Sequence, residues 1–204
     1  MPIDFKKTQK ELYQPKIAPS VIDVPTMTFI MIDGAGDPNT SEAYQNAVEI
    51  LYGLSYAVKM SKTGGRQPEG YFDFVVPPLE GLWSGDARDK GGFAWTSMIR
   101  QPDFVTESVF EQARETLAKK KPRLDSRAAR LERFTEGLCA QVLHLGSYDD
   151  EPATVATLDR FIAESAYRLD YSEGRRHHEI YLADPRKTTP EKLKTVLRHP
   201  IATI

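Results

Sequence analysis

The chain has 204 residues and carries 27 Lys and Arg against 29 Asp and Glu, which gives a formal net charge of −2. Hydrophobic residues make up 40% and charged residues 27%, values that are typical of a globular protein and exclude a disordered chain or a coiled-coil rod. This length predicts one large domain or two small ones. No segment has the apolar length of a membrane-spanning helix or of a signal-peptide core, so we expect a cytoplasmic protein that does not bind membranes.

Several kinds of site are excluded by residue type and spacing. A slightly acidic chain is not expected to bind nucleic acid, because affinity for phosphates needs a concentrated basic surface. Cys139 is the single cysteine, which excludes an internal disulfide and a multi-cysteine zinc site. Gly34-Ala35-Gly36 lacks the third glycine of a dinucleotide motif, since Asn39 stands at its position. Adjacent His177 and His178 point to opposite faces of a predicted strand and cannot share an ion, so we expect no metal and no cofactor.

The first half of the chain predicts the element order β-α-β-β. Residues 25–32 are rich in β-branched and apolar side chains, which predicts a strand. A helix is predicted from Glu42, because apolar residues recur there at helical spacing: Ala43, Ala47, Ile50, Leu51, Leu54 and Val58. Three candidate caps precede it: Asn39, Thr40 and Ser41. Two further strands are predicted at 71–76 and 93–100.

Residues 103–137 interrupt this order and predict a helical linker. A first helix follows the candidate cap Thr106 and stops before Pro122. A second amphipathic helix is predicted from four apolar residues, Leu124, Ala128, Leu131 and Phe134, and Gly137 ends it. Its arginines alternate with acidic residues, which favours a solvated face over a nucleic-acid surface.

The second half repeats the first order. A strand is predicted at 138–145, a helix beginning near Glu151-Pro152, and strands at 177–182 and 193–199. Two copies of one supersecondary unit fit this order better than two unrelated domains do.

These elements predict an α+β fold made by a pseudo-symmetric duplication of a β-α-β-β unit. The repeats are expected at about 25–102 and 138–204, within a single domain that spans 21–204. Helices are expected on one face of the strands and a ligand groove on the other. Residues 1–20 are Lys-rich and interrupted by proline, which predicts a flexible arm.

The predicted strand 177–182 carries chemistry on one of its faces. Successive side chains alternate, so one set of three is predicted to face the helices: His178, Ile180 and Leu182. The opposite face then carries His177, Glu179 and Tyr181. Because Glu179 lies among apolar neighbours in mid-strand, we expect its carboxylate to be paired, raised in pKa or functional, and we favour function.

Aromatic residues supply candidates for the wall of a ligand pocket: Tyr71, Trp83, Trp95 and Tyr148. Trp83 follows two prolines in a predicted loop, where folding does not require its burial, so a pocket position is favoured. For Trp95, core and pocket positions are equally favoured. Glu80 is either an exposed loop acid or a second carboxylate that approaches the same pocket.

The C-terminal residues resemble a known family. RHHEIYLADPRKT at 176–188 and PEKLKTVLR at 190–198 resemble the signature of stand-alone GyrI-like small-molecule-binding proteins, relatives of the effector-binding domains of multidrug-sensing transcription activators. Glu179-Ile180-Tyr181 is similar to the Glu-x-Tyr strand motif of that superfamily. The resemblance implies a groove between two repeats that takes aromatic, often cationic, compounds, with Glu179 in contact with the ligand. Some stand-alone members are hydrolases that open the cyclopropane of DNA-alkylating natural products.

Two functions from different classes follow from this resemblance and these residues. In a hydrolase, a flat electrophile would lie between Trp95, Trp83 and the face of Tyr181. Glu179 would deprotonate water, and Glu80 or Tyr181 would polarise the substrate carbonyl.

In a binding module, Glu179 would pair with a cationic ligand that stacks on aromatic rings, and the protein would sequester or sense drugs or modulate a partner protein. A second acid in the groove favours hydrolysis, and a single acid favours binding. His177, Tyr71 and Tyr148 are further candidate ligand contacts. The expected partner is a small aromatic ligand, with the chain as a monomer or a homodimer, and a peptide adaptor is the least favoured alternative.

Overall fold

The computed structural model describes residues 1–63, 67–85 and 90–204. Within them the predicted α+β class is confirmed. The helices are α1 Phe5–Thr8, α2 Lys10–Tyr13, α3 Glu42–Lys59, α4 Glu107–Lys120 and α5 Glu151–Ala163. The strands are β1 Ser20–Ala35, β2 Leu79–Ser84, β3 Ala94–Gln101, β4 Arg130–Leu145, β5 Tyr167–Leu169, β6 His177–Tyr181 and β7 Lys194–Thr203.

The chain divides into two compact units that each collect distant segments. The first unit contains Met1–Phe5, Met27–Leu79 and Ser84–Phe134. The second unit contains Lys6–Thr26, Glu80–Trp83 and Thr135–Ile204. Strands β1, β2 and β4 contribute residues to both. Among the described residues, no helix has the length and apolar composition needed to cross a membrane.

The first unit is organised around strands β1 and β3. They pair antiparallel, from Thr28 opposite Gln101 to Ala35 opposite Ala94. Helix α3 packs against β3 and α4, and its first turn is capped by the Ser41 side chain, which accepts a hydrogen bond from the amide of Tyr44. The predicted helix from Glu42 is therefore confirmed, and Ser41 is its cap.

The strand predicted at 71–76 is wrong. In this segment only Phe74 forms a bridge, to Ile3. The rings of Phe72 and Phe74 pack edge-on against Phe104, at centroid distances of 5.4 and 6.1 Å. Aromatic side chains that alternate along a sequence are typical of a strand, but here they anchor a loop through ring contacts.

The second helix predicted in the linker is also wrong, since β4 begins at Arg130. The ring of Phe134 packs edge-on against Phe29 of β1 at 6.2 Å, and the guanidinium of Arg130 binds the carboxylate of Asp33 at 2.6 Å. Tertiary contacts with β1 thus outweigh the helical spacing of the local apolar residues.

The second unit is organised around β7, which pairs antiparallel with β4, β5 and β6. Strand β6 also pairs with β2, with Glu179 opposite Gly81. Helix α5 packs Leu158 and Ile162 against Leu197 of β7. Other members of this core are Ala140, Val142 and Ile201.

The faces of β6 differ from the prediction. Glu179 pairs with Leu197, and directly opposed residues of an antiparallel pair share a face. Since Leu197 packs against α5, the face of Glu179 is the one that the helix covers. The assignment of His178 and Ile180 to the helix side is therefore wrong. The helix does not bury all of this face: its apolar core contains residues of β7 and β4, and the side chains of His177 and Glu179 remain 20% and 16% exposed.

The N-terminal residues contribute to the second unit. Leu12 and Tyr13 of α2 are buried at 4% and 1% exposure. The amide side chain of Gln141 donates to the carbonyl of Glu11 at 2.9 Å, and the guanidinium of Arg198 donates to the carbonyl of Leu12. These contacts hold residues 11–13 against β4 and β7, in part of the segment for which the sequence predicts a flexible arm.

Candidate functional site

The candidate site begins with three side chains on one face of β6. The Oε1 atom of Glu179 lies 3.1 Å from Nε2 of His177, and its Oε2 atom accepts a hydrogen bond of 2.7 Å from the hydroxyl of Tyr181. These contacts between residues two apart confirm the prediction that His177, Glu179 and Tyr181 share a face. The Glu179 side chain is 16% exposed, so its carboxylate is largely but not fully shielded from water.

Trp83 joins this group through the pairing of β2 with β6. Its indole Nε1 donates a hydrogen bond of 2.9 Å to the hydroxyl of Tyr181. The loop predicted for Trp83 is wrong, because the residue lies in β2 opposite His177 and is only 9% exposed. Gly81 provides the room: a methyl group at that position would lie 2.6 Å from the Trp83 Nε1 and 3.3 Å from the Tyr181 hydroxyl.

Tyr148 adds a third aromatic ring. It lies in the short 3-10 turn of residues 148–150 that leads into α5, and its ring packs edge-on against Tyr181 at 5.8 Å. Tyr148 remains 38% exposed, so part of its ring is open to solvent. The predicted candidates Trp83, Tyr148, Tyr181, Glu179 and His177 are thus brought together in the second unit.

A second carboxylic acid, Glu151, was not among the sequence candidates. It is the first residue of α5 and is 8% exposed. Burial, and next the negative charge of Glu179, raise the pKa of Glu151 well above its usual range, and the nearby Thr195 only partly opposes this. The raised pKa favours the protonated form of Glu151. The Glu-Pro pair at the predicted helix start was the available sequence signal.

Glu80 lies on the other face of β2. It pairs with Ile180, is 1% exposed, and its Oε2 atom lies 3.1 Å from Nε2 of His178. The Tyr13 hydroxyl lies 3.5 Å from its Oε1 atom. The structure therefore separates Glu80 from Glu179 by the thickness of the strands, and the reading of Glu80 as an exposed loop acid is wrong.

Glu80 belongs instead to a buried ionic cluster. Glu136 lies 2.9 Å from His178 Nδ1 and 3.1 Å from the guanidinium of Arg198, and all three side chains are at most 6% exposed. Burial opposes charge on His178, but Glu136 and Glu80 outweigh it and raise the pKa of His178 to about 9. Burial likewise opposes charge on Glu136, but His178 and Arg198 lower its pKa to about 2. The cluster thus contains two acidic groups, Glu80 and Glu136, and two basic groups, His178 and Arg198, whose charges offset one another.

The remaining candidates, Trp95 and Tyr71, belong to the first unit. Trp95 is 2% exposed, and its ring packs edge-on against Tyr44 at 5.1 Å. A methyl group at Gly34 would lie 2.2 Å from that ring, so glycine is required for this packing. The hydroxyl of Tyr71 donates a hydrogen bond of 2.7 Å to the carbonyl of Lys59. Their roles in ligand binding stay predictions.

The described part of the chain contains no group of three or more His, Cys, Asp or Glu side chains placed to hold a metal ion. Cys139 is buried, and burial, then the charge of Glu136, raise the pKa of its thiol above the usual range. A reactive thiolate would need the opposite shift.

Comparison with known families tests the family resemblance that the C-terminal residues indicate. The model of the GyrI-like small molecule binding domain matches residues 17–202. This chain belongs to the GyrI-like family. A search of curated proteins found no match.

Solved structures agree with this GyrI-like assignment. An uncharacterized conserved protein from Listeria innocua is 50% identical, with a TM-score of 0.94 over 98% of this chain and 100% of that one. A structure described as a hydrolase from Listeria innocua is also 50% identical, with a TM-score of 0.92 over the same shares. The EcmrR–DNA complex in EcmrR-RPo is 10% identical and shows a likeness of fold alone, with a TM-score of 0.58 over 97% of this chain and 63% of that one.

Proposed function

We propose that this GyrI-like protein binds a flat, hydrophobic electrophile in its second unit and adds water to it. The substrate class is a cyclopropane-bearing alkylating compound whose ring is conjugated to a carbonyl group. Glu179 acts as the general base and Glu151 as the general acid. The proposal is supported by the neighbouring pair of carboxyl groups: burial and the charge of Glu179 raise the pKa of Glu151, which makes Glu151 the group suited to donate a proton.

Each group has a separate task in this reaction. Glu179 takes a proton from water as the new C–O bond forms and the cyclopropane C–C bond breaks. The electron pair of that bond moves to the substrate carbonyl oxygen, which takes the proton of Glu151. The net reaction is the addition of one water molecule, with no oxidant or cofactor required. It leaves Glu179 protonated and Glu151 ionised, and transfer of a proton from Glu179 to the neighbouring Glu151 restores the site.

The aromatic groups support a flat substrate. Trp83 and Tyr148 each contact Tyr181, which binds Glu179, and aromatic faces bind conjugated rings by stacking. Burial of the carboxyl groups strengthens their electrostatic effect on the reacting atoms. The hydrolase from Listeria innocua, at 50% identity over nearly the full length of both chains, supports assigning hydrolysis to this protein as well.

A second candidate function is binding without turnover. The carboxylate of Glu179 among aromatic rings is also a suitable site for a cationic aromatic ligand, which would gain an ion pair and cation–π contacts. The raised pKa of Glu151 favours the hydrolase, since a site that only binds cations gains nothing from a second acid that favours its neutral form.

The test is a time course in water enriched in ¹⁸O, with a cyclopropane-bearing alkylator as substrate and mass spectrometry of the product. Wild type is expected to give a product heavier by one labelled water, and Glu179→Gln to lower the rate by about 10²–10⁴-fold. Glu151→Gln should lower the rate without abolishing binding. The control Glu164→Gln removes an exposed acid that follows α5 and should react like wild type.

The outcomes separate the two functions. Tight binding by wild type without a labelled product would overturn the hydrolase and leave the binding module. Equal product from wild type and Glu179→Gln would show that the reaction occurs at another site or in solution.

A further inference from the structure

The hydroxyl of Thr195 is a buried polar group that has no hydrogen-bond partner among the described residues. Thr195 lies in β7 and is 0% exposed, and its Oγ1 atom is fully shielded from water. Buried polar groups in folded proteins are nearly always paired, and one that is left unpaired costs stability. A fold that keeps such a hydroxyl despite this cost indicates a group that is paired only when a ligand binds.

Strand pairing places Thr195 on the face of the candidate site. Thr195 is directly opposite Tyr181 of β6, and directly opposed residues of an antiparallel pair share a face. Tyr181 shares that face with Glu179, to which it donates a hydrogen bond. The Thr195 hydroxyl therefore lies on the side of the sheet that carries the proposed general base.

The polar groups that flank Thr195 on the two neighbouring strands bind elsewhere. On β6, the hydroxyl of Tyr181 already makes two hydrogen bonds. On β4, His144 is opposite Thr195. The Nδ1 atom of His144 lies 2.8 Å from Oγ1 of Thr154, and its Nε2 atom lies 2.9 Å from the carbonyl oxygen of Ser147. The Thr195 hydroxyl thus keeps its donor and acceptor positions for another group.

Glu151 reaches the same region from the start of α5. It is 8% exposed, and its Oε1 atom is also buried without a hydrogen-bond partner in the described part of the chain. Burial and the charge of Glu179 raise the pKa of Glu151, and Thr195 is near enough to oppose part of this rise. A hydroxyl and a carboxyl group that favours its protonated form therefore lie near each other, each with an unpaired oxygen atom.

We propose that the Thr195 hydroxyl donates a hydrogen bond to the carbonyl oxygen of the substrate, beside the proton donor Glu151. This inference rests on the proposed function, in which ring opening moves an electron pair to that oxygen. A donor that the fold already holds in place stabilises the negative charge that develops there in the transition state. Thr195 keeps its own proton throughout. The proton that the oxygen gains comes from Glu151, and Glu179 returns one to Glu151, so the addition of water stays balanced.

This role of Thr195 defines the substrate more closely. The carbonyl oxygen must reach Thr195 and Glu151 while the carbon that water attacks lies at Glu179, so both must belong to one flat conjugated system. An electrophile without an acceptor oxygen at that position would leave the Thr195 hydroxyl unpaired in a closed site. Sites built to bind a polar group reject analogues that lack it, so such a compound should be a poor substrate.

The test compares two substitutions at Thr195 in the ¹⁸O-water assay, with the cyclopropane-bearing alkylator as substrate. Thr195→Val keeps the branched shape but removes the hydroxyl, and it should lower kcat by about 10²–10³-fold with KM little changed. Thr195→Ser keeps a hydroxyl and should retain most of the activity. The control Thr157→Val removes an exposed hydroxyl that bonds to the Ala153 carbonyl within α5, and it should react like wild type.

Thermal melting separates a catalytic hydroxyl from a structural one. Because the hydroxyl is unpaired in the folded protein, Thr195→Val should melt at or above the wild-type temperature while its kcat falls. A lower melting temperature together with a higher KM would show a structural hydroxyl and overturn the inference. An unchanged kcat in Thr195→Val, with wild type active, would overturn the role of Thr195 alone. A wild type that forms no product would overturn the hydrolase and this inference together.

Discussion

The hydroxyl of Tyr181 connects Trp83 to Glu179: it accepts a hydrogen bond of 2.9 Å from the Trp83 indole and donates one of 2.7 Å to Oε2 of Glu179. A single phenol thus fixes both an aromatic ring and the carboxylate. The four residues Gly81, Trp83, Glu179 and Tyr181 form one contact group on strands β2 and β6.

Removing the hydroxyl in Tyr181→Phe should leave Glu179 and Trp83 each without one hydrogen bond. A hydrogen bond to a charged group contributes about 1.5–3 kcal/mol, which corresponds to a loss of roughly tenfold or more in kcat/KM. The measurement is the rate of labelled-product formation. Tyr56→Phe is the control, since Tyr56 is 54% exposed on α3. An unchanged rate in Tyr181→Phe would remove the phenol from the mechanism.

Adding a methyl group in Gly81→Ala should disturb the site without removing a functional group. The new carbon would lie 2.6 Å from Trp83 Nε1, so the indole must move away from Tyr181. We expect weaker binding of aromatic ligands and altered tryptophan fluorescence. Gly174→Ala is the matched control, because no atom lies within 4 Å of a methyl group at that position. Equal affinities in the two variants would contradict a contact of the ligand with Trp83.

Neutralising one member of the buried ionic cluster should reduce stability strongly. Glu136→Gln leaves the charges of His178 and Arg198 without their shared partner, and breaking a buried ion pair in this way costs about 3–5 kcal/mol. The free energy of unfolding in urea measures this. The control Glu132→Gln lies on the same strand in an exposed ion pair and should cost at most about 1 kcal/mol. Similar losses in both would mean that the cluster adds no special stability.

The stability of the fold should fall above about pH 6.5. His178 holds its proton in the folded state up to about pH 9, against a usual pKa of 6.5, so its stabilising effect is complete below pH 6.5 and is lost as the pH rises toward 9. The pKa of Glu151 is also raised in the folded state, so its contribution to stability is lost as the pH rises above its usual pKa of 4.5. Thermal melting across pH 5–9 checks this. His178→Ala is unsuitable as a control because it removes the basic partner that Glu80 and Glu136 share.

Stability should also fall below about pH 4.5. The lowered pKa of Glu136 stabilises the fold fully above its usual 4.5, and this contribution is lost as the pH falls toward 2. His199 stays neutral in the folded state down to about pH 3, against a usual pKa of 6.5. Its contribution to the stability of the fold is therefore lost as the pH falls from 6.5 toward 3. Between pH 4.5 and 6.5 the opposite effects of His199 and Glu151 cancel, so melting temperature should be nearly constant there. A maximum above pH 8 would contradict these assignments.

Local patterns in the chain were enough to predict the helices α3, α4 and the start of α5, because helical spacing and capping residues act within a few residues of one another. The common face of His177, Glu179 and Tyr181 followed for the same reason, since alternation is a property of a single strand. The residues at 176–198, which include the Glu-x-Tyr motif, were therefore enough to indicate the family, and the role of Glu179 stays a prediction.

Strand pairing, in contrast, joins residues that are far apart in the chain. It turned residues 130–136 into a strand, placed Trp83 opposite His177, and turned Glu80 away from Glu179. The register of β6 with β7 and the packing of α5 brought His199, Asp159 and Glu151 to Glu179 from 20 to 28 residues away in sequence. The pKa values of these groups depend on their distances from one another and on their burial, which arise only when the chain is folded.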